Sequence, residues 1–354
     1  MSLFRANVER MSAYVPGEQP PHGAKVIKLN TNENPYGPSP SVGVAVAAEL
    51  ADGGARLRLY SDPAALELRL AASEVTGMPI DQILAGNGSD ELLALVVRAV
   101  VEPGETILYP SPTYVLYETL AEAQGAKIRT VPFGPDFSLP RDLFAAEAKV
   151  IFVTSPNSPS GTSHPAKIIG ELADSVPHAL VVVDEAYADF ADDNALELAR
   201  TRANVVVLRT FSKSYSLAGM RVGLLFGASE LVNGIGKIKD SYNLDRLAIV
   251  AAAAALRDQA WMKDNVARIR ATRKRLTQGL TELGFDVLPS SANFVFARLG
   301  SEERASGAYR FLKEHGVLVR YFPRPLLSDA LRITVGTDAE IDELLETLAE
   351  YLAA

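Results

Sequence analysis

Runs of residues that are apolar at every position constrain the fold of this chain most strongly. The stretches VVVD at 181–184 and VVVL at 205–208 lack the alternation of apolar and polar residues that a half-exposed strand shows. Strands of this kind are buried on both faces, which is typical of a parallel sheet between two layers of helices. Because similar runs alternate with stretches of helical periodicity, the sequence predicts an α/β fold with a mainly parallel sheet.

The C-terminal part of the chain has a different pattern, with longer helical stretches. Apolar residues at helical spacing predict one helix over Trp261–Leu283 and another over residues 339–352. Between them lie the strand-like runs FDVLPS, NFVFARL, VLVRYF and ALRITVG. This arrangement predicts a second, smaller α+β unit.

The change in pattern divides the chain into two predicted domains. We expect a large domain over residues 31–245, and a small domain formed by residues 1–30 together with residues 246–354. The segment TNENPYGPSPS, residues 31–41, contains prolines that disfavour helix. We interpret this segment as an irregular connection, either a linker or a lid.

Composition excludes several classes of function. The 354-residue chain has no cysteine, and its formal net charge of −8 comes without a basic tract that could follow a nucleic-acid backbone. Its apolar runs are shorter than the roughly 20 residues that a membrane-spanning helix needs. The four histidines are far apart in the sequence, unlike the ligands of common zinc motifs. We therefore expect a cytoplasmic protein without disulfides or a bound metal, and with neither nucleic acid nor membrane as a partner.

Polar residues follow several predicted strands, where ligands gather in parallel sheets. Asp184 ends the run LVVVD, and a carboxylate there is costly to bury unless a cation or a strong donor lies opposite. Tyr187 follows three residues later, and each of the two could instead belong to an ordinary structural pair. Asn157 and Tyr114 follow two further strands, where a turn or a packing role also fits.

A turn with two glycines connects the strand-like run ILAG to a helix whose first turn contains Ser89 and Asp90. The free N–H groups of such a helix start suit a phosphate. The stretch GNGSDE is neither a Walker loop nor a complete dinucleotide fingerprint. Taken alone, Ser89 or Asp90 is more simply interpreted as the cap of its own helix.

The segment LRTFSKSYSLAGMRVG places a lysine, serines and an arginine after an apolar run. Lys213 lies among apolar strands and is flanked by serines, where loss of solvent suits a lysine that forms a Schiff base. Arg221 offers a planar fork for a phosphate. Together with Asp184, Ser89 and Ser212, these residues supply an imine-forming amine, a partner for a pyridinium nitrogen and a phosphate cup. Pyridoxal phosphate requires these parts.

The motifs TFSKSYSLAGMRVG, VVVDEAYADF, SPNSPSGT, LNTNENPYGPS and ALRITVG resemble those of fold-type I aminotransferases, most closely the histidinol-phosphate aminotransferases. The resemblance covers nearly the whole chain, with the motifs in the same order. It implies an aspartate aminotransferase-like fold, pyridoxal phosphate as the cofactor, and a homodimer with shared active sites. Two positions depart from the family pattern: Ser158 stands in a turn that usually reads Asn-Asn-Pro, and Ser241 stands where proline is common.

The resemblance also implies a role for each residue of the predicted site. Lys213 would form the Schiff base and move the substrate proton, and Asp184 would hold the protonated ring nitrogen. Asn157 and Tyr187 would contact the ring hydroxyl, and Tyr114 the ring face. The residues implied to hold the cofactor phosphate are Ser89, Asp90, Ser212, Arg221 and, from the neighbouring subunit, Tyr60. The residues implied to contact the substrate are Tyr14, Asn157, Arg320 and Arg332.

The implied reaction is a ping-pong transamination of L-histidinol phosphate with 2-oxoglutarate, which gives imidazole acetol phosphate and L-glutamate. An aromatic amino-acid aminotransferase, acting on phenylalanine, and a phosphothreonine decarboxylase of the same fold are alternative enzymes. A non-catalytic module that senses pyridoxal phosphate is an alternative from another class. Such regulators resemble a fusion with a helical DNA-binding domain, and this sequence has no basic arm.

Overall fold

The structure is a computed structural model that describes residues 2–12, 17–20, 23 and 25–353. Its strands are β1 Ile27–Lys28, β2 Ile83–Gly86, β3 Thr106–Ser111, β4 Lys127–Pro132, β5 Val150–Thr154, β6 Leu180–Asp184, β7 Val205–Thr210, β8 Gly223–Gly227, β9 Asp286–Val287, β10 Phe294–Arg298, β11 Val317–Leu318, β12 Arg320–Tyr321 and β13 Ala330–Thr334. Its helices are α1 Ala6–Arg10, α2 Pro40–Glu49, α3 Ala51–Gly54, α4 Leu66–Thr76, α5 Gly88–Val100, α6 Leu116–Gln124, α7 Ala166–Ser175, α8 Leu196–Thr201, α9 Ser229–Gly236, α10 Arg246–Arg257, α11 Gln259–Glu282, α12 Glu302–Glu314 and α13 Asp338–Ala353. The two helices predicted in the C-terminal part are confirmed as α11 and α13, with ends shifted by one or two residues.

The larger sheet has seven strands in the order β2-β8-β7-β6-β5-β3-β4. Strands β7, β6, β5, β3 and β4 are parallel to their neighbours in that row, and β8 is antiparallel to both β7 and β2. The predicted α/β fold with a mainly parallel sheet is confirmed.

Burial on both faces explains why the central strands are apolar at every position. Val181 and Val183 belong to a core cluster on one face of the sheet, whereas Leu180 and Val182 belong to a cluster on the other. Successive side chains of a strand point to opposite faces, so both sets must be apolar when helices cover both sides. The first cluster includes residues of α4, α7 and α10, and the second includes residues of α5, α6 and α9.

The smaller sheet is antiparallel, with the order β12-β13-β10-β9, and a third core cluster joins it to α11, α12 and α13. The run VLVRYF does not form one strand. Its first part, β11, pairs in parallel with β1, and its second part, β12, pairs with β13. The two parts therefore connect different segments, and the apolar pattern of the run could not show where one ends and the other begins.

Helix α10 packs against α2 and α4. Its buried residues, including Ala248 and Leu256, belong to a cluster of the larger sheet, although the predicted boundary assigns the helix to the small domain. We therefore propose that the boundary between the two domains lies near Asp258, where α11 begins. Among the helices of the described residues, none combines the length and the apolarity that crossing a bilayer demands.

Candidate active site

The predicted site residues converge because several strands meet at one edge of the larger sheet. Thr154 and Asp184, the last residues of β5 and β6, lie opposite each other, and Thr210 ends β7 at the same edge. Strand β8 runs the other way, so its first residue, Gly223, lies opposite Thr210. Gly86, at the end of β2, pairs with Gly223 and brings the start of α5 to this edge.

Two glycines let an arginine lie against the start of α5. A Cβ added at Gly88, which has φ +78°, would lie 2.7 Å from Nη2 of Arg221. A Cβ at Gly223 would lie 2.6 Å from the backbone nitrogen of Ser89. The Arg221 guanidinium also donates to Ser212 Oγ at 3.3 Å. The close approach of a guanidinium, a hydroxyl and a helix N-terminus forms a cradle that suits a phosphate.

The first turn of α5 is not capped by the side chain of its N-cap residue, Asn87. The Asp90 carboxylate instead accepts from Nη2 of Arg221 at 3.1 Å and from the Tyr114 hydroxyl at 3.2 Å. The simpler interpretation of Asp90 as a helix cap therefore does not describe its side chain, which connects the cradle to Tyr114. The roles of Ser89 and Asp90 toward a ligand remain predictions.

Asp184 is a buried carboxylate at the centre of the edge, with 3% of its surface exposed. Its Oδ2 accepts from the Tyr117 hydroxyl at 2.8 Å, and its Oδ1 accepts from the backbone nitrogen of Ala186 at 3.1 Å. Burial raises the pKa of Asp184 to about 6, against the two hydrogen bonds, which lower it. A carboxylate in this state gains from a cation placed beside it.

The predicted connection at residues 31–41 begins with a segment that contacts Lys213. We call this segment, residues 31–34, the strap. The Lys213 amine donates to the backbone carbonyl of Thr31 at 3.3 Å and lies 5.8 Å from the centroid of the Tyr187 ring. Asn34 Nδ2 donates to the backbone carbonyls of Lys213 and Ser214 at 3.0 and 3.3 Å. The hydrogen bonds of Asn34 thus fix the backbone of Lys213, which carries the amine.

Asn32 fixes the hydroxyl of Tyr187 from the same strap. Its Nδ2 donates to the Tyr187 hydroxyl at 2.9 Å, and its Oδ1 accepts from Thr334 Oγ1 at 3.1 Å. Asn293 Nδ2 donates to the backbone carbonyl of Asn32 at 3.0 Å. Since Tyr187 receives a hydrogen bond from Asn32, its own proton is available to another acceptor.

Asn157 is fully buried, and its amide is bonded within its own surroundings. Its Oδ1 accepts from Thr113 Oγ1 at 2.7 Å, while its Nδ2 donates to Ser160 Oγ at 2.9 Å and to the Pro112 carbonyl at 3.3 Å. The neighbouring Ser158 instead accepts from Arg332 Nη1 at 3.3 Å. The predicted contact of Asn157 with a ring hydroxyl stays a prediction.

Arg320 and Arg332 lie directly opposite each other on β12 and β13. Their guanidinium carbons lie 5.3 and 5.5 Å from the centroid of the Phe322 ring, so both flank one aromatic side chain. Arg332 also donates to the backbone carbonyl of Asn30 at 2.8 Å. Like charges directly opposite in a sheet are unfavourable, and an anion between or beside them relieves the repulsion.

Tyr60 is 78% exposed and lies outside the cluster around Lys213. Its ring stacks on Tyr242 with centroids 4.3 Å apart. Tyr14, the other aromatic residue predicted to reach the site, lies outside the described residues. Among the described residues, no group of three or more histidine or carboxylate side chains is placed to hold a metal ion.

The sequence reasoning missed Tyr117, Asn32 and Ser158. Tyr117 follows Tyr114 by one helical turn, so the spacing of the two tyrosines was an available signal. Asn32 belongs to the alternating asparagines of LNTNEN, a pattern that by itself indicates only an irregular connection. Ser158 was identified as a departure from a family pattern, without a contact.

Comparisons with known proteins identify the family and the fold of the chain. Residues 24–348 match the family model "Aminotransferase class I and II". Histidinol-phosphate aminotransferase 1 of Trichormus variabilis is 48% identical over 352 residues, which cover 99% of each chain. The histidinol-phosphate aminotransferase of Synechocystis sp. is also 48% identical, over 99% of this chain and 98% of its own.

Solved structures agree on the fold. The histidinol-phosphate aminotransferase of Sinorhizobium meliloti, solved in complex with pyridoxal-5'-phosphate, matches with a TM-score of 0.91 and 29% identity, over 100% of this chain and 98% of its own. A Thermus thermophilus aspartate aminotransferase variant matches with a TM-score of 0.84 and 22% identity, over 99% and 100% of the two chains, which supports the fold alone. The predicted aspartate aminotransferase-like fold and the family resemblance are therefore confirmed, and the chain belongs to the class I and II aminotransferases.

Proposed function

We propose that this chain binds pyridoxal phosphate and transfers the amino group of L-histidinol phosphate to 2-oxoglutarate, with imidazole acetol phosphate and L-glutamate as products. The convergence of Lys213, Asp184 and Arg221 at one sheet edge carries the proposal. The identity of 48% to the Trichormus variabilis protein, over nearly all of both chains, supports the choice of substrates.

The residues at this edge fit the cofactor part by part. The cradle of Arg221, Ser212 and the start of α5 suits the phosphate, because glycines at positions 88 and 223 let its groups approach where a Cβ would push them apart. Asp184 suits the ring nitrogen, since a buried carboxylate with a raised pKa favours a cationic partner. Lys213 carries the primary amine that would bind the aldehyde group of the cofactor.

The protein's residues hold and move charge around this group. Pyridoxal phosphate, when bound, supplies an electron sink for the bond that breaks at the substrate Cα. Lys213 Nζ takes the proton from that Cα and keeps it for return, as general base and then general acid. Asp184 would retain the proton of the ring nitrogen, Tyr187 and Asn157 would hold the ring hydroxyl, and Tyr114 would cover the ring. Ser89 and Asp90 contribute backbone N–H groups to the phosphate.

The paired arginines of the smaller sheet fit the anionic groups of both substrates. Arg320 and Arg332 are cross-strand neighbours on either side of Phe322. L-Histidinol phosphate brings a phosphate, and 2-oxoglutarate brings two carboxylates. Because guanidinium groups bind both kinds of anion, one pair serves both half-reactions. Tyr14, which lies outside the described residues, is proposed as a further contact of the substrate.

We further propose that two chains form a homodimer in which Tyr60 reaches the cofactor phosphate of the other subunit. The single chain leaves Leu57, Leu59, Tyr60, Leu66 and Tyr242 between 47% and 78% exposed. Large apolar side chains clustered at the surface in this way indicate a protein interface. The rings of Tyr60 and Tyr242 stack on each other within this set.

The substrate proposal is tested by titration of the visible cofactor band of the holoenzyme, without any oxo acid. We expect L-histidinol phosphate to convert the band at concentrations at least tenfold below those of L-phenylalanine, a difference of about 1.4 kcal/mol. A preference for L-phenylalanine would move the substrate to the aromatic amino acids. Release of carbon dioxide from L-threonine phosphate would support the decarboxylase instead.

Substitutions test the two halves of the site separately. Lys213→Ala is expected to bind the cofactor without turnover, and ordinary steady-state activity would remove Lys213 from the reaction. Arg332→Ala is expected to lower kcat/KM for both substrates by about 10- to 100-fold. Arg310→Ala, an exposed arginine on α12, is the matched control and should leave both values unchanged.

A further inference from the structure

Tyr117 is a completely buried tyrosine beside the proposed cofactor site. Its hydroxyl donates to Asp184 Oδ2 at 2.8 Å and lies 2.7 Å from Thr154 Oγ1. Its ring stacks on Phe152, with centroids 4.4 Å apart and an interplanar angle of 4°, and meets the Tyr114 ring edge-on at 5.8 Å. Packing on these sides leaves the phenol a single position.

The direction of the hydrogen bonds follows from the number of protons. An ionised carboxylate can only accept, so the one proton of the Tyr117 hydroxyl goes to Asp184. The Tyr117 oxygen can then accept the proton of Thr154 at 2.7 Å, the shorter of the two hydroxyl contacts of Thr154; the other is with Thr113 Oγ1 at 3.0 Å. Thr154 is the residue opposite Asp184 in the pairing of β5 and β6. Two adjacent strand ends and the first turns of α6 thus form a short relay, Thr154 to Tyr117 to Asp184.

We propose that Tyr117, oriented by Thr154, is a positioning residue that keeps Asp184 ionised and directed at the ring nitrogen of the cofactor. The inference rests on the proposed function, because it assigns the relay to the same cofactor contact. Apart from Tyr117, the backbone N–H of Ala186 is the other donor to Asp184, whereas Asp90 on α5 and Glu185, which follows β6, both oppose its charge. A hydrogen bond to an ionised carboxylate stabilises the ionised form. Loss of the Tyr117 phenol therefore moves the proton that lies between Asp184 and the ring nitrogen of the cofactor toward Asp184.

The test is Tyr117→Phe in the holoenzyme carrying cofactor labelled with nitrogen-15 in the ring. We expect the ring-nitrogen resonance to move toward the value of the unprotonated pyridine, and kcat at neutral pH to fall about tenfold while KM changes less than about twofold. Tyr109→Phe is the matched control, since the Tyr109 ring meets Tyr117 edge-on at 5.9 Å and its hydroxyl does not donate to Asp184 in the described structure. The control should leave the resonance where it is in the wild type.

A second pair of variants keeps the inference testable if Tyr117→Phe does not fold. Thr154→Val removes the donor to Tyr117 and should shift the resonance in the same direction by a smaller amount. Thr154→Ser retains the hydroxyl and should restore the wild-type position. An unshifted resonance in Tyr117→Phe, or equal behaviour of Thr154→Val and Thr154→Ser, would overturn the relay. A wild-type protein with no visible cofactor band would instead overturn the proposed function itself.

Discussion

Asp184, the last residue of β6, and Glu185, which follows it, are adjacent carboxylates with different kinds of hydrogen-bond donors. Each is 3% exposed. Glu185 Oε2 accepts from Nε and Nη2 of Arg209 at 3.0 and 2.9 Å, and its Oε1 accepts from the backbone nitrogen of Ala195. Glu185 therefore has a cation supplied by the chain itself.

Asp184 has neutral donors in place of a cation. Within the described residues its hydrogen bonds come from Tyr117 and Ala186, and the nearby charges that act on its pKa are carboxylates. Burial of a carboxylate without a cation is unfavourable, so the chain gives up stability at this position. The contrast teaches that a buried charge paired within the chain supports the fold, whereas one left for an external cation marks a binding site.

The largest effect should come from Asp184→Asn, which tests the functional side of the contrast. The amide keeps the size of the carboxylate but cannot balance a protonated ring nitrogen. We expect kcat to fall by about 10³-fold or more, as for other groups that stabilise charge at a reacting centre. Steady-state assay of the cofactor-loaded variant measures the loss. A decrease smaller than tenfold would place the ring-nitrogen contact elsewhere.

Glu185→Gln tests the structural side. The substitution leaves Arg209, whose side chain is 22% exposed, without its hydrogen-bonded counter-charge, so the free energy of unfolding should fall by up to about 3 kcal/mol. Denaturant unfolding measures this loss. The same variant should retain kcat within about threefold per folded, cofactor-loaded molecule, because Glu185 faces Arg209 and Ala195 and not Lys213. Equal losses of kcat in the two variants would erase the distinction between the carboxylates.

The pH dependence of unfolding sharpens the comparison further. The pKa of Asp184 is raised from 3.8 to about 6 in the folded cofactor-free protein. The folded state therefore binds the proton more tightly, so this residue lowers stability progressively as pH rises from about 4 to 6, by about 3 kcal/mol in total. Unfolding of the wild type and of Asp184→Asn across this range gives the contribution as a difference. A difference that does not change with pH would contradict the raised pKa.

Taking the difference is necessary because His164 acts in the opposite direction. Burial lowers the pKa of His164 from 6.5 to about 4, so its contribution to stability increases as pH rises through the same range. The wild type and Asp184→Asn both retain His164, so the contribution of His164 to stability cancels in the difference. Bound cofactor should also remove the Asp184 effect, since it supplies the missing cation.

The smallest effect concerns Tyr187, which has a neutral donor of its own in Asn32. Asn32 has φ +56°, so Asn32→Gly removes the amide without the strain that an alanine would add. Loss of one hydrogen bond to the phenol should lower kcat/KM about three- to tenfold. Asn34→Ala, which loosens the strap without touching Tyr187, is the comparison variant. Identical effects of the two would indicate that the strap acts as a whole and not through Tyr187.

The sequence predicts the central strands and the strand-end residues well, for a physical reason. Strands β5, β6 and β7 are apolar at successive positions up to their last one or two residues because helices cover both faces, and this pattern is visible without knowledge of the partners. Since parallel strands end at one edge, Asp184 and Lys213 are expected near each other before any contact is known.

The remaining features depend on contacts between distant segments. Tyr117 belongs to the site only because α6 buries its ring against Phe152 and places its hydroxyl at Asp184. Asn32 and Tyr187 are far apart in the sequence, so no local pattern predicts the hydrogen bond between them. Helix α10 joins the larger core because it packs against α2 and α4, and the sequence pattern alone does not name these partners.

The pairing of β8 with β2, a strand much earlier in the sequence, affects when the active site can be completed during synthesis. Strand β2 ends at Gly86, but its neighbour in the sheet begins at Gly223, and the phosphate cradle is made from both sides of this late pairing. Contacts between such distant segments form slowly, and chains grow from the N-terminus. A nascent chain released before β8 emerges therefore exposes the edge of β2 and cannot capture the cofactor, so loading reports that the whole large sheet has assembled.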